Sequence, residues 1–200
     1  MTRLGIAKKD FERARQSIEL NRLVKSQIGK LVDSSDLIRF SYVQTVAAMD
    51  QYIHGIVYDR AVNIVLGRYN SQTRGARTNI GLTFHDIQMI NSAGSETERI
   101  NLSRSIVADR LHKETFQSVG GIENVLRIFG IIGIWPTVFP SYTEDNKKRL
   151  NEIVHRRNLI AHQCDRDPLD PDQVLPIDIS TAEDSINFIE NFLVELDKII

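Results

Sequence analysis

The sequence predicts an all-α fold: a single domain over residues 1–200, arranged as a helical bundle with a long central helix and extra short helices. Three observations carry this. Apolar residues recur at three- and four-residue spacing through most of the chain. No stretch of useful length shows the strict alternation of a half-buried strand. Capping residues, glycines and prolines punctuate the periodic segments where helices should start and stop. With 200 residues, 42% apolar and 26% charged, the chain is large enough for one sizeable core and too short for two ordinary domains.

The elements follow in order. Ala7 to Val32 is rich in helix formers, with Phe11, Ala14, Ile18, Ile28 and Leu31 at roughly helical spacing. "DSSD", 33 to 36, offers a stop and a fresh N-cap. Leu37 to about Tyr69 reads as a long helix with two apolar stripes. One is Ile38, Tyr42, Val46, Met49, Ile53 and Ile56; the other is Val43, Ala47, Val57, Ala61 and Val65. A helix apolar over so much of its surface belongs at the centre of a bundle. "NSQTRGARTNIG", 70 to 81, is a loop without periodicity. Thr83 to Ser92 is a short helix, and Ser95 to Phe116 a polar one whose "SETE" start has capping-box spacing. "GGIENVLRIFGIIG", 120 to 133, forms another short helix that closes at glycine before Pro136. Ser141 to about Gln163 is helical. "CDRDPLDPDQVLP", 164 to 176, holds three of the five prolines and ends it. A capped amphipathic helix, 180 to 200, completes the fold. There is no internal repeat.

Charge and cysteine usage bound the function. A net charge of -1 gives no global basic field, so any nucleic acid must be held by a local patch. The one cysteine, Cys164, cannot form an internal disulfide, which points to a reducing compartment. One cysteine and five scattered histidines make no zinc cluster, and neither a metal nor a cofactor is expected. The N-terminus lacks an apolar core of signal-peptide length. "IFGIIGIWPTVF", 128 to 139, is about half a membrane span and is broken by Pro136. A soluble, cytoplasmic protein with no membrane partner is the expectation. Gly120 and Gly121 match no phosphate-binding loop.

The segment "HRRNLIAHQCD", 155 to 165, stands out. At 100° per residue, Leu150, Ile153, Val154, Ile160 and Ala161 share an arc of about 120°, and Arg157 lies near its middle. His155, Asn158 and His162 line an adjacent polar face, the last two one turn apart. A guanidinium on a core-facing stripe costs several kcal/mol unless it is paired or meets something polar. Three readings stand open. Arg157 snorkels to water along its stem; it pairs with an acidic residue on the long second helix; or the stripe edges an intersubunit cleft where Arg157 and His162 face a phosphate.

"RNLIAH", Arg157 to His162, resembles the arginine-x4-6-histidine motif of the HEPN superfamily, with Asn158 as the polar residue after the arginine. It lies near the end of a late helix, followed by a turn and a last helix. "LIRFSYVQTVAAMDQYIHGIV", 37 to 57, looks like the long second helix of the RiboL-PSP-like branch, leading to an aspartate. The resemblance implies a metal-independent endoribonuclease of the kind found in toxin–antitoxin, abortive-infection and other anti-phage systems. It also implies a homodimer with the motif helices of two protomers meeting across a two-fold axis, which favours the cleft reading of Arg157. His162 would be general acid/base, Arg157 transition-state stabiliser, and Asn158 the orienter of His162 or of the scissile phosphate. Histidine titrates near neutrality and arginine's donor fork suits phosphate oxygens, so the residue types fit. RNA and a cognate antitoxin or defence-system protein are the implied partners. The alternative is a non-catalytic HEPN-like module that dimerises and binds a partner protein or nucleotide; a helical scaffold without nucleic-acid contact would need Arg157 satisfied by an internal salt bridge.

Other residues have two readings each. Asp50 and His54, one turn apart on the long helix, either form a local hydrogen bond or turn Asp50 toward Arg157 or His162. His155 shares a face with His162 and could touch substrate, while Arg156, off the stripe, reads as a solvated or phosphate-steering charge. Arg68, Arg74 and Arg77, with Tyr69 for base stacking, are a candidate RNA contact or an ordinary soluble loop. "DNKKR", 145 to 149, reads as an exposed helix face, "DRDPLDPD" as a helix terminator, and Cys164 as incidental.

Overall fold

A computed structural model describes residues 2–69 and 80–200. The fold is all-α: the described residues hold eight α-helices and no strand beyond an isolated antiparallel bridge between Arg166 and Val174. The helices are α1 (Arg3–Ile28), α2 (Ser35–Val65), α3 (Phe84–Asn91), α4 (Glu96–Leu111), α5 (Val119–Leu126), α6 (Trp135–Val138), α7 (Thr143–Gln163) and α8 (Ile179–Asp197). None of the described helices is long and apolar enough to cross a membrane.

Two compact units emerge. The first comprises residues 1–52, 117–119 and 135–200; the second comprises 53–116 and 120–134. In the first, α1 packs along α8. Phe11, Ala14 and Ile18 of α1 are buried, as are Ile38, Tyr42, Val46 and Met49 of α2 and the α8 row Ile186, Ile189, Phe192, Leu193 and Leu196. Trp135 stacks on Phe192 at 5.6 Å between centroids, and Phe139 on Phe188 at 5.5 Å. A fully buried phenylalanine such as Phe192 contributes roughly 1.5–3 kcal/mol through the area it removes from water. Several polar groups in this core are matched. Tyr52 donates to Asp197 Oδ1 at 2.7 Å, and burial with that carboxylate holds its phenol well above the usual range. Ser41 and Thr45 donate back to the carbonyls of Ile38 and Ser41, so α2 carries buried hydroxyls without a loss.

The second unit takes the later half of α2, with Ile53, Ile56, Val57, Ala61 and Val62 buried, together with α3, α4 and most of α5. Thr83 caps α3 reciprocally with Asp86, whose carboxylate also accepts from Arg110 of α4 at 2.8 Å. Ser95 caps α4 by accepting from Glu98 N, and Glu98 in turn accepts from Gly94 N. Arg60 stacks over Tyr69 at 3.7 Å and Phe129 at 4.5 Å.

Five expectations shift. The helix expected over Ala7–Val32 starts at Arg3, because Thr2 accepts from Gly5 N, and stops at Ile28, leaving Leu31 85% exposed. The helix expected to reach Phe116 ends at Leu111, after which the Glu114 N–H turns back to the Leu111 carbonyl. The 120–133 segment is α5 plus a 3₁₀ turn, Arg127–Phe129, closed by left-handed Gly130 with φ 76°. Pro136 does not merely break a run. It lies in the first turn of the short α6, where its missing N–H costs nothing. Of the second α2 stripe, Ala47 is exposed and Val43 and Val65 only half-buried, so the first stripe alone is core throughout.

Asp178 starts α8 by accepting from Ser180 Oγ at 2.6 Å, Thr181 N at 2.8 Å and Thr181 Oγ1 at 2.7 Å. The Ser180 hydroxyl, then the Thr181 donors, pull its pKa down to about 2. A carboxylate whose pKa is depressed on folding adds stability that is full above its ordinary value of 3.8 and is lost as pH falls through about 2. Asp178→Ala should therefore lower the thermal midpoint at pH 7, with the gap from wild type closing as melts are taken down toward pH 2.

Candidate functional site

The site is organised by how α7 ends. Cys164 and Asp165 both take left-handed backbone, with φ 53° and 56°, a conformation that aspartate tolerates better than most residues. The Asp165 N–H donates to the Leu159 carbonyl at 3.0 Å, and the turn swings the Asp165 side chain fully into the interior. There its Oδ2 accepts from Arg39 Nε of α2 and from Arg156 Nη2 of α7, each at 2.8 Å. The same guanidiniums fasten the following loop: Arg39 Nη2 donates to the Leu175 carbonyl at 2.9 Å and Arg156 Nη2 to the Pro176 carbonyl at 3.0 Å. Leu175 N closes the arrangement on the Asp165 carbonyl at 2.8 Å. Asp165 Oδ1 is buried without a partner.

Arg156 is thus not a solvated charge. Its guanidinium is spent on Asp165 and the loop, because the terminating turn brings a buried carboxylate to that side of α7. Arg157, its neighbour, is treated in the opposite way. It is half-buried, and its Nε is sealed from solvent with no hydrogen-bond partner. Burial lowers its pKa, and the charge of Asp50 on α2 works against that burial. Asp50 is thus an acidic residue of the second helix whose charge acts on Arg157. That carboxylate is itself held by Gln117, whose Nε2 donates to Asp50 Oδ2 at 2.7 Å. Gln117 belongs to the short connector before α5, and two residues on Val119 N donates to Asn151 Oδ1 of α7 at 3.3 Å.

The remaining motif residues lie on the open side of α7. His155 and His162 are exposed, and Asn158 is half-buried. The apolar arc drawn from the sequence is rotated near its end: Leu159 is buried with Leu150, Ile153 and Val154, while Ile160 is half-buried and Ala161 exposed. The left-handed turn at 164 and 165 draws the Leu159 side inward, through the hydrogen bond to its carbonyl. Ile160 and Ala161 instead line an open groove of about 830 Å³ with Phe40, Val43, Val174 and Pro176, rimmed by Asp33 and Asp36.

Other candidates fall elsewhere. His54 lies in the second unit, where a ring nitrogen meets the Glu114 carbonyl at 2.9 Å and the ring packs on Phe116 at 4.5 Å. Arg68, also in the second unit, pairs with Glu96 at 2.7 Å, which offsets its charge. Arg74 and Arg77 lie outside the described residues. Cys164 is exposed at the groove. Among the described residues no group of three or more histidines, cysteines and carboxylates is placed to hold a metal ion. Sequence reasoning missed Asp165, Arg39 and Gln117. The sequence offered a signal only for Asp165, a residue tolerant of left-handed backbone directly after the last helical turn.

The RiboL-PSP-HEPN family profile matches residues 9–200. The chain belongs to the RiboL-PSP-HEPN family. No curated protein and no solved structure matches it. The match takes in Asp50, Gln117, the whole of α7 and the Asp165 turn, so the arrangement just described lies within the RiboL-PSP-HEPN domain. Membership supports a ribonuclease or nucleotide-binding role.

The energetics of this RiboL-PSP-HEPN site centre on Asp165. Removing one partner of a buried ion pair leaves the others uncompensated, at about 3–5 kcal/mol. Asp165→Ala strands Arg39, whose side chain is 11% exposed, and Arg156, which is 21% exposed. Urea unfolding should show a loss of about 3 kcal/mol or more for Asp165→Ala. A loss of less than 1 kcal/mol would mean that the clamp does not hold the fold.

Proposed function

We propose that this chain is a metal-independent endoribonuclease acting as a homodimer, with Arg157, Asn158 and His162 at the reacting phosphate. The observation that carries the reading is the state of Arg157: a half-buried guanidinium whose Nε has no acceptor, five residues before an exposed histidine on the same helix. A buried donor without an acceptor is costly, and an incoming phosphate oxygen would satisfy it.

The chemistry is transesterification. The RNA 2′-hydroxyl loses its proton and attacks phosphorus; the bond to the 5′-oxygen breaks, and that oxygen gains a proton. The products are a 2′,3′-cyclic phosphate and a 5′-hydroxyl. One base and one acid are needed, and two copies of His162, one from each protomer, supply both. Arg157 stabilises the charge that builds on the phosphoryl oxygens. Asn158 orients His162 or the scissile phosphate. The exposed Phe40 and Ala161 and the half-buried Ile160, beside the motif, are the surface on which a second protomer would rest. With a net charge of only -1, RNA capture relies on local groups or a partner protein, and an antitoxin or defence-system partner fits that need. The location assigned is the cytoplasm.

The same groove favours a second reading, a non-catalytic module that docks a partner protein. Incubation of the protein with total tRNA and with a single-stranded RNA in EDTA separates the two. Cleavage should persist in EDTA and disappear in His162→Ala while the dimer survives on a sizing column. Intact RNA with the wild type, or unchanged cleavage by His162→Ala, would remove the catalytic assignment.

A further inference from the structure

Arg157 can serve a phosphate only if nothing in the protein closes on it first. Asp50, whose charge reaches it from α2, is the obvious competitor: a carboxylate that pairs with a guanidinium in a bidentate fork would take the donors a phosphate needs. In the structure it does not take Arg157 Nε, which has no partner. A third segment reaches the same carboxylate. Gln117 Nε2 donates to Asp50 Oδ2 at 2.7 Å, part-buried, where a hydrogen bond to a charged acceptor is strong. The connector that bears Gln117 is itself pinned to α7 through Val119 N and Asn151 Oδ1 at 3.3 Å. Gln117 and Asn151 therefore hold one short stretch of chain against both helices that carry the site.

We propose that Gln117 is a positioning residue: its amide holds the Asp50 carboxylate where it backs Arg157 by charge without closing on Arg157 Nε, which is left to an RNA phosphate. This rests on the ribonuclease reading for its function, but its geometry can be tested apart from any cleavage. Removing the amide takes away the hydrogen bond that holds Asp50 Oδ2 toward Gln117 and lets the carboxylate shift toward the guanidinium. Replacing it with a carboxyl sets two carboxylates at hydrogen-bond distance, which share one proton and titrate as a pair with its upper pKa raised. While the shared proton is present, the carboxylic acid donates to Asp50 as the amide did. Once it is lost, the two charges repel and the hold on Asp50 fails. Arg157 from α7 is a further charged group that acts on Asp50.

The test has two arms. The first follows the Nε–Hε NMR signal of Arg157, assigned by its absence in Arg157→Lys, in wild type, Gln117→Leu and Gln117→Leu/Asp50→Asn. The signal should move downfield in Gln117→Leu as Asp50 closes on it, and return in the double variant; an unmoved signal in Gln117→Leu overturns the proposal. The second arm compares RNA cleavage with wild type at each pH from 5 to 8. Gln117→Leu should lose about tenfold or more in kcat at every pH, with KM little changed. Gln117→Glu should match wild type near pH 5 and fall by about tenfold toward pH 8, as the pair gives up its proton. A constant ratio for Gln117→Glu across that range, or an unchanged kcat for Gln117→Leu, would also overturn it. If the NMR shift is seen but the wild type cleaves no RNA, the hold on Asp50 stands and the ribonuclease reading falls.

Discussion

One buried carboxylate organises the motif end of the chain. Asp165 has no exposed surface, and two arginines from different helices reach it at 2.8 Å. Burying such a group costs several kcal/mol before its partners are counted, and the two left-handed residues at 164 and 165 add strain of order 1–3 kcal/mol each. The costs are tolerable because each arginine does more than neutralise: between them they also satisfy the carbonyls of Leu175 and Pro176. Helix α7, the start of α2 and the loop after Cys164 are thereby set in one relation. Every statement about where Arg157 and His162 point depends on that relation, since a helix free to rotate would present a different face.

The neighbouring pair Arg156 and Arg157 shows what this constraint achieves. The two have the same chemistry, and helical geometry separates them by about 100°. That rotation decides their fates: Arg156 finds a carboxylate and two carbonyls, whereas Arg157 finds the charge of Asp50 and no acceptor for its Nε. A protein that invested both arginines in structure would gain stability and lose a donor for any ligand. The Arg156 guanidinium is committed to the fold and the Arg157 Nε is not, and the difference is visible only once the Asp165 turn is in place.

That dependence explains what the sequence could and could not reveal. Helix positions were legible because they follow from local signals: Ser95 and Glu98 cap α4 as their spacing implies, and the Ile38 to Ile56 stripe is buried throughout. Arg157 stood out as a charge on an apolar stripe, and the resemblance to the HEPN motif singled it out together with His162. Arg156 was misread because its partner lies nine residues on, beyond a turn whose left-handed backbone has no glycine to announce it. Gln117 was invisible for a related reason. A glutamine in a connector is an ordinary surface residue until the fold brings it to Asp50, 67 positions away in the chain. Periodicity reads one helix at a time, and contacts of this range leave no trace in it.

The two unpartnered buried atoms beside α7 also differ in kind. Asp165 Oδ1 is an acceptor whose carboxylate is already served through its other oxygen by two cations, so its cost is softened by charge it shares. Arg157 Nε is a donor on a group whose charge has been partly desolvated, and what offsets it is Asp50's field, not a hydrogen bond. Only the second vacancy lies on the motif, on a helix whose next turns are open to solvent at Ala161 and His162. Natural cores rarely leave such donors unmatched, and where they do the missing acceptor is commonly water, an ion or a ligand. A phosphate oxygen supplies both the lone pair and the negative charge that Arg157 lacks, whereas water supplies only the first. An anion therefore matches Arg157 better than water does, and the proposed transesterification also calls on the exposed histidine five residues on.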